Sequence, residues 1–234
     1  MLALQAYLLG TVPVPAAVAL QRRLAYDVGG EDGTAAVVLC DHPPGVTIGR
    51  HGSRAEVLPT DAELLARGWP VRWLADGGPA LLHTPGQVAC YPVLPLAPPG
   101  LTPAAYVAEL VRLVAGVVGS FGVAPQVTPE PAIRLAGRRV AHVGVAVRNG
   151  VTAGGVVLNV SPDLPLFRLI RPAGDPRPMT SLQRECPLRV RAAAVRQRLL
   201  EALEGRFAAR LSVFHHHPSL PAQPVRHANP AAAR

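Results

Sequence analysis

Arg139-Val140-Ala141-His142-Val143-Gly144-Val145-Ala146-Val147-Arg148, then Asn149-Gly150, then Val151-Thr152-Ala153-Gly154-Gly155-Val156-Val157-Leu158-Asn159-Val160 reads as two strands joined by a two-residue turn. Asn-Gly readily takes positive φ at both central positions of a type I′ turn, which makes the two strands antiparallel neighbours. Gly144 and Gly154-Gly155 fall inside these strands. Glycines there either leave a slot in which a thin aliphatic chain can lie on the sheet, or serve only close packing.

The same alternation extends outward. Ala132 to Ala136 precedes the hairpin as a third strand, and Thr102 to Phe121 reads as an amphipathic helix with Tyr106, Leu110, Leu113 and Val117 on one face, stopped by Gly122. Pro70 to Leu74, Ala80 to His83 and Gln87 to Leu94 are short strands separated by Gly-Gly or Pro-Gly. Thr60-Asp61-Ala62-Glu63 has the capping-box spacing, with a short helix expected to about Gly68. Near the start, Leu2 to Leu9 and Thr34 to Cys40 read as strands around a helix over Pro15 to Tyr26. A second long helix is expected over Arg189 to Leu211. These elements predict an α+β fold around a mixed or mainly antiparallel sheet. One domain is expected over 1–213, followed by a disordered tail rich in Pro, Ala and His over 214–234.

The chain contains no lysine; all 23 basic residues are arginine, and the formal net charge is +8. Such a field favours an acidic partner. Nucleic acid is not the partner expected: aromatic residues make up only 4% of the chain, which leaves few stacking platforms for the arginines of the last helix. Cys40, Cys90 and Cys186 have neither CxxC nor metal-ligand spacing, so no disulfide framework, no metal site and a reducing, cytoplasmic setting are expected. The apolar start lacks a basic n-region and is broken by Pro13 and Pro15, and no apolar run reaches membrane-spanning length, so neither a signal peptide nor a membrane span is expected.

Residues able to hold a ligand concentrate in three blocks: Asp41-His42-Pro43-Pro44-Gly45-Val46-Thr47-Ile48-Gly49-Arg50; Gly77-Gly78 with His83-Thr84-Pro85-Gly86-Gln87; and Gly137 through Ala173, closing on Thr180-Ser181-Leu182. In the second, Gly86 lets backbone approach a ligand, and His83 and Gln87 offer side-chain hydrogen bonds. Taken alone, that block also reads as a turn around a satisfied histidine.

In order and spacing, the three blocks resemble the lipoyl(octanoyl) transferase family over roughly residues 35 to 185. The resemblance implies the biotin/lipoate ligase catalytic-domain fold. It also implies transfer of an octanoyl group from acyl carrier protein to a lysine of a lipoyl domain, without a cofactor. By position, the family's acyl-binding stretches fall on Asp76 to His83 (with Gly77 and Gly78), on His142, Val143 and Gly144, and on Gly155, Val156 and Val157. The family's nucleophile is a cysteine within Pro-Cys-Gly, activated by a lysine that begins the strand of the third block; those positions are Ala173 and Arg139 here. A methyl group cannot form an acyl-enzyme, and a guanidinium does not exchange protons near neutral pH. Asp76, Leu82, Thr84 and Gly154 also depart from the family pattern. The resemblance therefore implies an octanoyltransferase without its covalent machinery. The alternative is a non-catalytic relative that binds an acyl chain, a lipoyl domain or a carrier protein. Cys90 is the thiol nearest the slot in sequence, with burial as its expected fate, and Cys186 is expected to open the last helix.

Overall fold

The computed structural model describes residues 3–28, 34–75, 77–97, 100–171 and 177–217. The chain begins with β1 (Ala3–Thr11), α1 (Val14–Val28) and β2 (Thr34–Asp41). The short β3 (Gly45–Ile48), α2 (Asp61–Ala66), β4 (Val71–Trp73), β5 (Ala80–His83) and β6 (Gln87–Val93) follow. Then come α3 (Pro103–Gly119), β7 (Pro125–Val127), β8 (Ala132–Leu135), β9 (Arg138–Arg148) and β10 (Val151–Asn159). The last elements are α4 (Leu182–Glu185), α5 (Ala192–Phe207) and β11 (Arg210–Phe214).

Eight strands form one sheet in the order β11-β1-β2-β6-β10-β9-β8-β7, and β4-β3-β5 form a second, smaller one. β1 runs parallel to both β2 and β11, whereas the other pairs of the large sheet are antiparallel. The parallel β1–β2 pair needs a crossover, which α1 supplies. The α+β class and the mixed, mainly antiparallel sheet expected from the sequence are therefore present.

Strand alternation divides the large sheet into two apolar faces. On one, Val37, Leu39, Cys90, Val143, Val156 and Leu158 pack beneath Tyr106, Leu110 and Val114 of α3 and Val195 and Leu199 of α5. On the other, Val38, Cys40, Ala89, Tyr91 and Val157 meet Ala17, Leu20 and Leu24 of α1. The small sheet has its own core, in which Val46, Ile48, Ala80 and Leu82 contact Leu64 of α2.

Local chemistry sets several boundaries. Thr60 and Glu63 form the reciprocal capping box at α2. Thr102 caps α3, where Pro103 needs no donor. Asn149 and Gly150 both take positive φ, 49° and 75°, between β9 and β10.

The end of the chain departs from the expected helix over Arg189 to Leu211. α5 stops at Phe207 because Ala208 turns left-handed (φ 46°, ψ 44°), and Arg210–Phe214 leaves as a parallel edge strand beside β1. Phe214, placed in the tail by sequence, belongs to that strand. Cys186 does not open the last helix; it ends α4, where its N–H bonds the carbonyl of Leu182. Asp76, Ala173 and residues 218–234 lie outside the described residues. Among the described residues, no helix is long and apolar enough to cross a membrane.

Candidate acyl-binding cleft

The face of β9 and β10 turned toward α1 carries a narrow cleft of about 50 Å³ that opens to solvent. Its floor is His142 and Gly144 of β9 with Gly154, Gly155 and Val157 of β10. α1 supplies a second wall through Val14, Ala17, Val18 and Gln21. The third comes from Thr47, Gly49 and Leu74 of the small sheet and its flanks, with Pro79, Leu81 and His83. Aliphatic side chains predominate and polar atoms are few, a lining suited to an alkyl chain with one polar end.

The glycines make this geometry possible. Gly77 and Gly78 lie directly over β9: a Cβ on Gly144 would sit 2.5 Å from the Gly77 carbonyl oxygen, and one on Gly78 would sit 2.5 Å from His142 Nε2. Gly78 has φ 132°, a value that disfavours any side chain there. Gly155 has a different role, since a Cβ at that position would collide with the Cys90 carbonyl of β6. It lets β10 pack against β6, the close-packing use left open by the sequence. Gly154, at φ 75°, donates its N–H to Gln21 Oε1 at 2.7 Å, pinning α1 to the sheet.

Two histidines with lowered pKa values, His83 and His142, line the cleft, and a third, His42, stands behind Tyr91 and His83. Burial lowers the pKa of His83 well below the usual value, helped by His42 and His142. Its Nε2 lies 2.9 Å from Thr47 Oγ1, while its buried Nδ1 has no hydrogen-bond partner. His42 Nδ1 lies 2.5 Å from the Val12 carbonyl, which can only accept, so Nδ1 carries the proton. Burial likewise lowers the His42 pKa, and the neutral ring then accepts the Tyr91 hydroxyl proton at Nε2, 2.7 Å away. That bond fixes Tyr91, whose ring lines the cleft. His142 has its pKa lowered to about 4 by burial and by the Arg139 charge.

The residues singled out by sequence divide accordingly. Gly77, His83, His142, Gly144, Gly155 and Val157 line the cleft, and Gly78 packs on His142. Val143 and Val156 point the other way, into the core under α3 and α5, because neighbours on a strand face opposite sides. Gln87 is held within the protein: its Oε1 accepts the Thr84 N–H at 2.9 Å, and its Nε2 donates to the Leu82 carbonyl at 3.1 Å and to Asn159 Oδ1 at 2.9 Å. Gly86, at φ 91°, packs its backbone against Ser161. The Gln87 network continues from Asn159 Nδ2 to the Thr180 carbonyl at 3.0 Å, so the block at residues 180–182 is tied to β10. Arg139 is buried at the start of β9, and its carbonyl accepts the Thr180 N–H at 2.9 Å.

The sequence reading missed the α1 wall and Tyr91, and gave Thr47 and Gly49 a place in the first block but no contact with the slot. Gln21 carries a signal in retrospect: Val14, Ala17, Val18 and Gln21 follow the i, i+3, i+4, i+7 pattern, and a buried polar residue interrupts that apolar stripe. The arginines of α5 make internal contacts. Arg196 pairs with Asp41 at 3.3 Å, Arg198 bonds the Ser120 carbonyl at 2.7 Å and lies over the Phe121 ring, and Arg206 pairs with Glu109.

Residues 13–204 match the lipoyl protein ligase A/B catalytic domain, and the chain belongs to that family. Within it the relatives are octanoyltransferases. The enzyme of that name from Chloroflexus aggregans is 34% identical over 209 residues, covering 86% of this chain and 93% of the relative. The octanoyltransferase of Geotalea uraniireducens is 35% identical over 199 residues, covering 84% and 90%. Among solved structures, lipoate-protein ligase A bound with ATP shares the fold at a TM-score of 0.77 and 13% identity, over 94% of this chain and 91% of that one. A structure from an archaeal lipoylation system, a bi-partite lipoate protein ligase and its E2 lipoyl domain from Thermoplasma acidophilum, gives a TM-score of 0.69 at 14% identity, over 92% of this chain and 89% of that one.

Proposed function

We propose that this octanoyltransferase-family protein holds the octanoyl chain of an acyl carrier protein noncovalently in the cleft, with the thioester intact, has that carrier protein and lipoyl domains as its partners in the cytosol, and forms no acyl-enzyme. The position of the thiols carries this reading. None of the three cysteines lines the cleft. Cys40 and Cys90 are buried in the two cores of the large sheet, and burial pushes the Cys90 thiol up to about 12. Only the thiolate attacks a thioester, so Cys90 is neither placed nor ionised for the step. Alanine stands at 173 and arginine at 139, where the resembling family has its nucleophile and its activating lysine. Arg139 supplies fixed positive charge but no exchangeable proton near neutrality. The neutral, apolar cleft suits a noncovalent guest.

The experiment is intact-mass analysis after incubation with octanoyl-carrier protein and an apo lipoyl domain, alongside titration calorimetry with octanoate. The expected result is saturable octanoate binding, no octanoyl adduct on this protein and no octanoylated lipoyl domain. An adduct, or a lipoyl domain gaining the mass of an octanoyl group at an enzymatic rate, would overturn the proposal. Restoring both groups with Ala173→Cys and Arg139→Lys is expected to yield the missing adduct.

A further inference from the structure

One carboxylate behind the cleft joins two segments far apart in sequence. Glu56 is buried at the end of a 3-10 turn over Arg54–Glu56, which begins when Ser53 accepts the Ala55 N–H. Its Oε2 accepts the Ala80 N–H at 2.5 Å, immediately after the loop that carries Gly77, Gly78 and Pro79 over β9. Its main-chain carbonyl accepts the Arg171 N–H at 2.7 Å, one residue before Pro172-Ala173-Gly174.

Neighbouring contacts strengthen both grips. On the loop side, His51 N–H donates to the Gly78 carbonyl at 3.1 Å, and a Cβ on Gly52 would lie 2.8 Å from Ala80 N. On the other side, Val57 bridges Ile170, and Leu58 N–H donates to the Leu169 carbonyl at 2.9 Å. Glu56 itself does not line the cleft. A buried carboxylate is retained only where its hydrogen bonds compensate lost hydration, and charge-assisted bonds to backbone N–H groups are the strong kind.

We propose that Glu56 is a positioning residue: its carboxylate locks the glycine loop over His142 and Gly144 as one wall of the cleft, while its main chain fixes Arg171 at the entry to the 172–174 segment. The proposal rests on the reading that the cleft takes an acyl chain, and two separate measurements keep the two apart. Hydrogen exchange at the Ala80 amide reports the clamp without any ligand, and octanoate titration reports the wall.

In Glu56→Ala, Ala80 exchange is expected to rise about tenfold or more while Val88 and Leu158 in the sheet stay protected, since only a local opening is released. Octanoate affinity is expected to fall about tenfold. Glu56→Gln keeps a carboxamide oxygen for the Ala80 N–H and is expected to restore both values to within about threefold of the parent. Glu56→Asp, one methylene short of Ala80, replaces the alanine variant if that one fails to fold, with the same expectations. Unchanged Ala80 exchange would overturn the proposal. So would exchange rising equally throughout the sheet, which marks a merely structural role, or faster Ala80 exchange with unaltered octanoate affinity. If the parent protein itself fails to bind octanoate, the acyl reading falls, and the Ala80 measurement still decides whether Glu56 clamps the loop.

Discussion

The two faces of β9 and β10 are built from alternate residues of the same strands, yet they do different work. Toward α3 and α5 stand Val143, Val156 and Leu158, each at most 1% exposed within the core. Toward α1 stand His142, Gly144, Gly155 and Val157, where missing side chains leave a cleft. Because the side-chain period is two, one strand can carry stability on one set of alternate positions and binding on the other, as β9 does with Val143 against His142 and Gly144, and β10 with Val156 and Leu158 against Gly155 and Val157. The family resemblance treats Val143 and Val156 as part of the acyl-binding stretches, whereas their geometry assigns them to the core.

That division can be tested directly. The largest effect is expected from Leu158→Ala, which opens a cavity in the filled face and should lower unfolding stability in urea by about 2–5 kcal/mol. Val157→Ala removes less apolar volume, beside the cleft where Val157 packs on α1, and should cost less, about 1–2 kcal/mol. Equal losses would break the comparison. Next in size, Gly144→Ala drives a methyl group toward the Gly77 carbonyl and should weaken octanoate binding about tenfold in a calorimetric titration. The urea midpoint should move little, because the displaced element is a surface loop. A large stability loss with intact binding would place Gly144 with the packing residues instead.

The smallest effect at neutral pH is that of the histidines, which matter as the pH falls. The folded pKa of His142 is lowered to about 4 from an ordinary value near 6.5. Between these limits the unfolded chain binds a proton that the folded protein refuses, so stability is full above about pH 6.5 and falls as pH drops toward 4. His42 and His83 are shifted in the same direction and add to the loss. His142→Gln should reduce the slope of stability against pH by at most about one proton, read as urea midpoints from pH 7 to 4. An unchanged slope would show that the ring is not held neutral over the cleft.

Much of this was legible in the sequence where the signal is local. Asn149-Gly150 fixed the hairpin, Thr60 with Glu63 fixed the start of α2, and the apolar stripe from Tyr106 to Val117 marked α3. β3 is not legible in the same way, because it has four residues, follows Pro43-Pro44 and pairs only with distant segments. The end of α5 was hidden for another reason. Ala208 takes the left-handed position usually given to glycine, so the apolar spacing runs on past the true stop. Within the site, the glycines announced a slot, but its second wall depends on contacts such as Gln21 with Gly154, 133 positions apart, which no window of sequence reveals.

The pairing of β1 with β11 also has a mechanical consequence. The two strands run side by side in the same direction, from Ala3 opposite Arg210 to Tyr7 opposite Phe214. Force applied between residue 3 and residue 214 pulls these strands along their length, so the whole ladder resists in shear instead of unzipping one rung at a time. Stretched from those two points, the molecule should yield at a high force in a single step, with the cleft still formed until the rupture.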